Sequence, residues 1–249
     1  MSSAINPAAR PIILMYHHIM PPPPGAAIKG MYVSPTQFDG QIGWLKRRGY
    51  QFLTFADLLD TESGNSHSDR SVIITLDDGY LNNYTEAFPI LRKHDVSAVI
   101  YPILNDLGQS GVFWPGATEQ TPADMMSEQH LREMAAAGIE FGSHLLHHKR
   151  LTEMTEQEQT DELTRSRSRL AELQGSPVLS IAYPFGEYDE GVLDRTRAAG
   201  YRFGVTTMPG VNSADTDPLQ LQRHTAKGCK IYHPVKFRRM IRAAERLLR

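Results

Sequence analysis

Short apolar runs alternate along this chain with longer amphipathic stretches, and that rhythm sets the first expectations. Residues 72–75 are four apolar or β-branched residues in a row, the pattern of a strand buried on both faces. The run ends on Asp77 and Asp78, and Gly79 follows at once. Similar runs at 11–16, 50–54, 97–103, 139–143, 178–183 and 201–207 predict further strands. Between them Phe38, Ile42 and Leu45 recur at helical spacing after Ser34 and Pro35, a cap followed by a first-turn proline. The same spacing, with caps and glycine stops, predicts helices over 84–94, 127–137, 155–174 and 190–199, and a short one at 55–59.

Strand and helix alternate about seven times, and no linker or shift in composition interrupts them. That order predicts one α/β domain over 1–249 with a mostly parallel sheet, closed or nearly closed into a barrel. The remaining stretches are loops. Residues 21–24 are four prolines, which makes 20–31 an irregular rim; 61–70 is polar, and the long 105–124 segment is expected beside a substrate cleft.

Composition then narrows the choice. With 26 Lys and Arg against 28 Asp and Glu, net charge −2, nothing marks a nucleic-acid binder. The single Cys229 has no disulfide partner and removes thiolate zinc sites. No basic leader precedes an apolar core at the N-terminus, and no apolar run approaches the ~20 residues of a spanning helix, so the chain as written is expected in the cytoplasm.

Sites in parallel barrels lie outside the carboxyl ends of the strands. Three polar clusters fall there: Asp77 with Asp78, His144 with His148, and His224 after 219–223. An Asp-Asp-Gly tripeptide is also ordinary turn chemistry, and histidines four apart also occur on solvated helix faces. Together, however, two imidazoles and a carboxylate can hold one divalent ion and leave positions open on it.

These stretches also carry a resemblance. Thr75-Leu-Asp-Asp-Gly-Tyr80, Gly142-Ser-His-Leu-Leu-His-His-Lys-Arg-Leu151 and Tyr183-Pro-Phe-Gly186 resemble, in order and separation, the first three motifs of the polysaccharide deacetylase family, with its NodB-type domain (carbohydrate esterase family 4). Leu221-Gln-Arg-His224 is similar to its last motif, and the likeness spans about 11–225. The resemblance implies a distorted (β/α)7 barrel and a metal-dependent hydrolase that removes N-acetyl groups from an amino-sugar glycan or glycan precursor. It makes Asp78, His144 and His148 the ligands of one divalent metal ion, zinc first, with cobalt, nickel or manganese as substitutes. Asp77 becomes the general base and His224 the general acid, while Phe185 offers a backbone N–H to the oxyanion beside Tyr183 on the substrate side. His147 competes with His148 for the ligand place; the following Lys149-Arg150-Leu151 favours His148. Alternatives on the same fold are an O-acetyl esterase, a cyclic-amide hydrolase and a non-catalytic sugar-binding module.

Two departures from the family pattern stand out. Ala182 occupies the place of an arginine that orients the catalytic aspartate, so what holds Asp77 is not visible. No Asp-Trp pair occurs in 201–210, which leaves Asp215 and Asp217 as guesses for the partner of His224. His17 and His18 end the first strand near the site and are read mainly as structural. His67, His94, His130 and His233 fit no pattern and are read as surface residues, and Trp114 and Tyr188 as either sugar-stacking or packing aromatics. The last stretch, 235–249, is an amphipathic helix whose polar side holds six basic residues and Glu245. It is expected to pack on the barrel with its charges in water; an anionic membrane surface is the second reading.

Overall fold

The computed structural model describes residues 11–60, 68, 70–112, 122–227 and 234–248. Its strands are β1 (Ile12–Tyr16), β2 (Gln51–Leu53), β3 (Ser71–Asp78), β4 (Val99–Pro102), β5 (Glu140–Phe141), β6 (Ser180–Ala182), β7 (Phe203–Val205) and β8 (His224–Thr225). Five of them form the path β5-β4-β3-β1-β8, and β6 pairs with β7, every pair parallel. Bridges from Ser143 to Ile181 and from Val205 to Leu221 join the two sheets, so the strands close into a ring. β2 stays outside it, sharing one edge of the long β3 with β4. The result is the distorted seven-stranded α/β barrel that the alternation and the motifs predict.

The helices are α1 (Pro35–Arg47), α2 (Phe55–Asp60), α3 (Phe88–His94), α4 (Glu128–Ala136), α5 (Glu156–Gln174), α6 (Glu190–Ala198) and α7 (Pro234–Leu247). Their ends follow local chemistry. The Ser34 and Thr155 side chains accept from the Gln37 and Glu158 backbone N–H groups, the Ser34 and Thr155 backbone N–H groups donate in return to the Gln37 and Glu158 side chains, and α5 stops where Gly175 takes φ 74°. Two expectations are corrected. The helix expected over 84–94 begins as a π-helical turn, Asn83–Ala87, which leaves Pro89 in the first turn of α3, where its missing N–H costs nothing. The strands are also shorter than their apolar runs, because the ends of those runs are buried as loop residues around the rim.

The two-residue period of the strands builds two cores. Ile13, Ile73, Val99, Tyr101, Phe203 and Leu221 fill the barrel. Leu14, Ile74, Leu76 and Ile100 point the other way, under Phe38, Ile42, Leu91 and Leu163 of the helices. α7 adds to that outer layer with Phe237, Ile241 and Ala244, and the Phe237 ring meets Trp44 edge-on at 6.1 Å. Histidines expected at the surface have fixed partners: His94 Nε2 lies 2.7 Å from Asp39, and His130 receives the Ser127 backbone N–H while stacking on Tyr84. Trp114, His67, His233 and Cys229 lie outside the described residues.

Gly79 follows β3 with φ 80°, and a Cβ there would stand 2.9 Å from the Pro102 Cα. Both the left-handed backbone and the close approach require glycine. Gly79→Ala is expected to lower stability by on the order of 1–3 kcal/mol in chemical denaturation and to loosen the adjacent Asp78.

Candidate active site

β3 brings Asp77 and Asp78 to the carboxyl end of the barrel, where both line one cavity of about 400 Å³. Alternation alone would aim neighbouring side chains apart, but Asp78 has φ 71°, and this left-handed turn brings it to the same cavity as Asp77. Of the four non-glycine residues with positive φ among those described, three are Asp78, Leu145 and Phe185, one in each motif. Local strain of this kind persists only where the surrounding structure fixes it.

His144 and His148 come from the loop after β5. Their Nε2 atoms stand 3.3 and 3.7 Å from Asp78 Oδ1, and the ligand atoms of the three residues all lie within 4.8 Å of one another. His144 Nδ1 is 2.7 Å from the Ala182 carbonyl, which can only accept, so Nδ1 carries the proton and Nε2 keeps its lone pair toward Asp78. Burial by itself raises the Asp78 carboxyl, but its contacts with His144 first and His148 second outweigh it and hold the group far below the ordinary carboxylate value. Burial drives the His148 imidazole down to about 4, which keeps it neutral, the form a metal requires. Burial also acts to lower His144, yet its contact with Asp78 wins and raises it. An ionised carboxylate and two imidazole nitrogens with a fixed tautomer fit a divalent cation. His147 does not join them. Its Nδ1 lies 2.5 Å from Glu162 and its Nε2 2.7 Å from Asn105, and the same Glu162 accepts the backbone N–H groups of Leu146 and His147.

Asp77 answers the question raised by Ala182. The wholly buried Arg223 makes two 2.7 Å bonds to its carboxylate, one from each terminal nitrogen. The guanidinium is itself held by the Thr206 carbonyl at 2.8 Å and the Thr75 hydroxyl at 3.0 Å. Burial raises the Asp77 carboxyl, and Arg223 more than offsets that, leaving it below its ordinary value. Ala182 is fully buried among the residues that fill the barrel, and the guanidinium comes instead from the segment that enters β8. The signal was present in the sequence: Leu221 and Arg223 are two apart at the entry to a strand, so Arg223 shares the inward face of a buried leucine.

That alternation also displaces His224. With Arg223 inward, His224 turns to the other side, in register with Leu14 of the outer core. It does not line the cavity, and its buried Nε2 has no hydrogen-bond partner. Neither suggested aspartate serves it: Asp217 caps the turn at Leu219 and pairs with Arg197, and Asp215 makes no contact with it among the described residues. His17 does line the cavity, with Nε2 3.9 Å from Asp77 Oδ2 and its carbonyl anchored by Asn83 at 2.8 Å.

Phe185 stands on the cavity wall, its ring 4.6 Å from that of His148 and covered by the Arg150 guanidinium at 4.0 Å, and Arg150 pairs with Glu187. Tyr183 borders the cavity, only 1% exposed, with its ring packed against that of Tyr188. The described residues of 105–124 do not line the cavity.

A parallel barrel whose carboxyl end joins a buried Asp-His-His set to a second, arginine-held carboxylate belongs to the class of barrel hydrolases with a divalent-metal site. The chain is a member of the polysaccharide deacetylase family, whose profile matches residues 64–204. It is 33% identical to the YxkH protein of Bacillus subtilis over 220 residues, 88% of this chain and 71% of that one. It is 30% identical to a poly-beta-1,6-N-acetyl-D-glucosamine N-deacetylase of Staphylococcus aureus over 188 residues, 72% of this chain, and spans 62% of that enzyme's length. Among solved structures the Streptococcus pyogenes deacetylase PplD, determined with acetate, aligns with TM-score 0.78 at 26% identity, covering 95% of this chain and 98% of that one.

Proposed function

We propose that the chain hydrolyses N-acetyl groups on an amino-sugar glycan, releasing acetate and leaving a free amine. The observation that carries this reading is the convergence of Asp78, His144 and His148 beside the Arg223-held Asp77 in one cavity. The named activity of the staphylococcal relative supports N-acetylglucosamine polymers as the substrate class. Asp78, His144 and His148 are the proposed metal ligands, and the mix of imidazole nitrogen and carboxylate oxygen makes zinc the first ion to test, with cobalt, nickel and manganese next. Such an ion, when bound, polarises the acetyl carbonyl and lowers the pKa of water.

The chain's own groups do the rest. Asp77, kept ionised by Arg223, accepts the proton of the attacking water. The Phe185 backbone N–H, at its left-handed turn on the wall, donates to the developing oxyanion. In place of His224 we assign His17 the transfer of a proton to the departing amine, because it lines the cavity beside Asp77 and His224 does not. His17→Gln is expected to lower kcat by roughly 10²–10⁴-fold with KM little changed, whereas His224→Gln stays within a few-fold of wild type. Equal losses in the two variants would remove His17 from this role.

The decisive experiment measures acetate release from N-acetylglucosamine oligomers with and without a chelator, then with zinc restored, using Asp77→Asn and His144→Ala as controls. Chelation and either substitution are expected to abolish release. Sugar binding without acetate release in the zinc-loaded protein would sink the enzyme reading.

A further inference from the structure

The outer face of α7 carries a second chemistry. Its inner residues Phe237, Ile241 and Ala244 are buried, and Glu245 receives the Tyr50 hydroxyl at 2.6 Å and lies 3.9 Å from Arg70. Tyr50 and Arg70 immediately precede β2 and β3, so these contacts fasten the C-terminal part of the helix at the barrel end opposite Asp77 and Asp78. On the other side Arg238, Arg239, Arg242 and Arg246 line, with Val235, an open groove of about 460 Å³. Residues three and four apart share one helix face, so these guanidinium groups repel one another. Among the described residues no carboxylate lies within ion-pair distance of Arg239, Arg242 or Arg246. Solvated faces ordinarily mix both signs, and a one-signed face on a chain of net charge −2 is a feature that calls for an anionic partner.

The hydrophobic residues select which partner. The exposed large hydrophobics among the described residues are Met208, Val235 and Leu247, and the last two, 51% and 69% exposed, both belong to α7. A soluble polyanion would engage the arginines and leave these side chains in water. A bilayer surface takes both: phosphate groups pair with guanidinium, and Val235, among the arginines, with Leu247, about a quarter-turn round the helix on its flank, enters the boundary between headgroups and acyl chains. No helix among the described residues is long and apolar enough to cross a membrane. We infer that the outer face of α7 docks the protein on an anionic lipid bilayer. The helix lies flat there, with the catalytic cavity at the barrel's opposite end left open.

Co-sedimentation of the full chain with vesicles tests this. Binding is expected to vesicles of phosphatidylcholine with phosphatidylglycerol, falling steeply with salt, and not to phosphatidylcholine alone. Arg239→Gln/Arg242→Gln/Arg246→Gln is expected to weaken it on the order of a hundredfold, and Val235→Ser/Leu247→Ser to weaken it too, while circular dichroism and thermal midpoint stay unchanged in both. Absence of binding to the anionic vesicles overturns the inference, as does binding that the triple variant retains. Equal affinity for polyphosphate, indifferent to Val235→Ser/Leu247→Ser, would replace the bilayer by a soluble polyanion.

Discussion

Arg223→Met is expected to cost both stability and catalysis. The buried Asp77 carboxylate would lose a bidentate partner, and Thr75 and the Thr206 carbonyl would each lose a donor. Breaking a buried pair from one side costs about 3–5 kcal/mol, because the remaining charge stays desolvated. Restoring neutrality with Asp77→Asn/Arg223→Met is therefore expected to recover part of the loss in denaturant titrations. Catalysis would fall on the order of a hundredfold, the scale of a misplaced catalytic group. A pH profile separates this from general loosening. Burial raises the Asp77 carboxyl and Arg223 brings it down, so without Arg223 the base protonates at higher pH and the acid limb of kcat/KM moves upward. Arg223→Lys is not expected to rescue, since one ammonium cannot make the two parallel bonds.

Asp78→Asn should separate metal binding from folding. Asparagine tolerates the left-handed backbone that Asp78 adopts at φ 71°, so the strand end stays intact. The amide lacks the charge that draws a cation and holds the His144 proton balance. Changing outer partners of metal ligands costs about 10–100-fold in affinity, and a ligand itself is expected to cost more, read as lost zinc heat in calorimetry alongside lost acetate release. Asp78→Val, by contrast, is expected to destabilise the fold as well, because a β-branched residue resists positive φ. Zinc binding retained by Asp78→Asn would remove Asp78 from the ligand set.

These two residues mark where the sequence was legible and where it was not. Barrel and helices followed from periodicity and caps, since strands buried on both faces and capped amphipathic helices write themselves into local composition. The motif residues converged because each ends or follows a strand on the same side of the barrel. What composition could not give was the direction of side chains at turns: Asp78 leaves the strand's alternation through an unusual φ, and Tyr183, beside the site in sequence, turns its ring into the core. His224 falls outside the cavity for the opposite reason, since the strand alternation holds there and the inward position belongs to Arg223. Glu162 was missed altogether, although it interrupts the inward face of α5 among Gln159, Leu163 and Ser166, a polar residue where burial demands a partner.

The Asp77–Arg223 pair joins residues 146 positions apart, and its arginine arrives immediately before the two-residue strand that seals the ring. During translation the donors Asp78, His144 and His148 all emerge from the ribosome well before Arg223 does. Asp77 therefore stays without its arginine partner until the last strand docks. Ring closure in this way ties the placement of the base to completed folding.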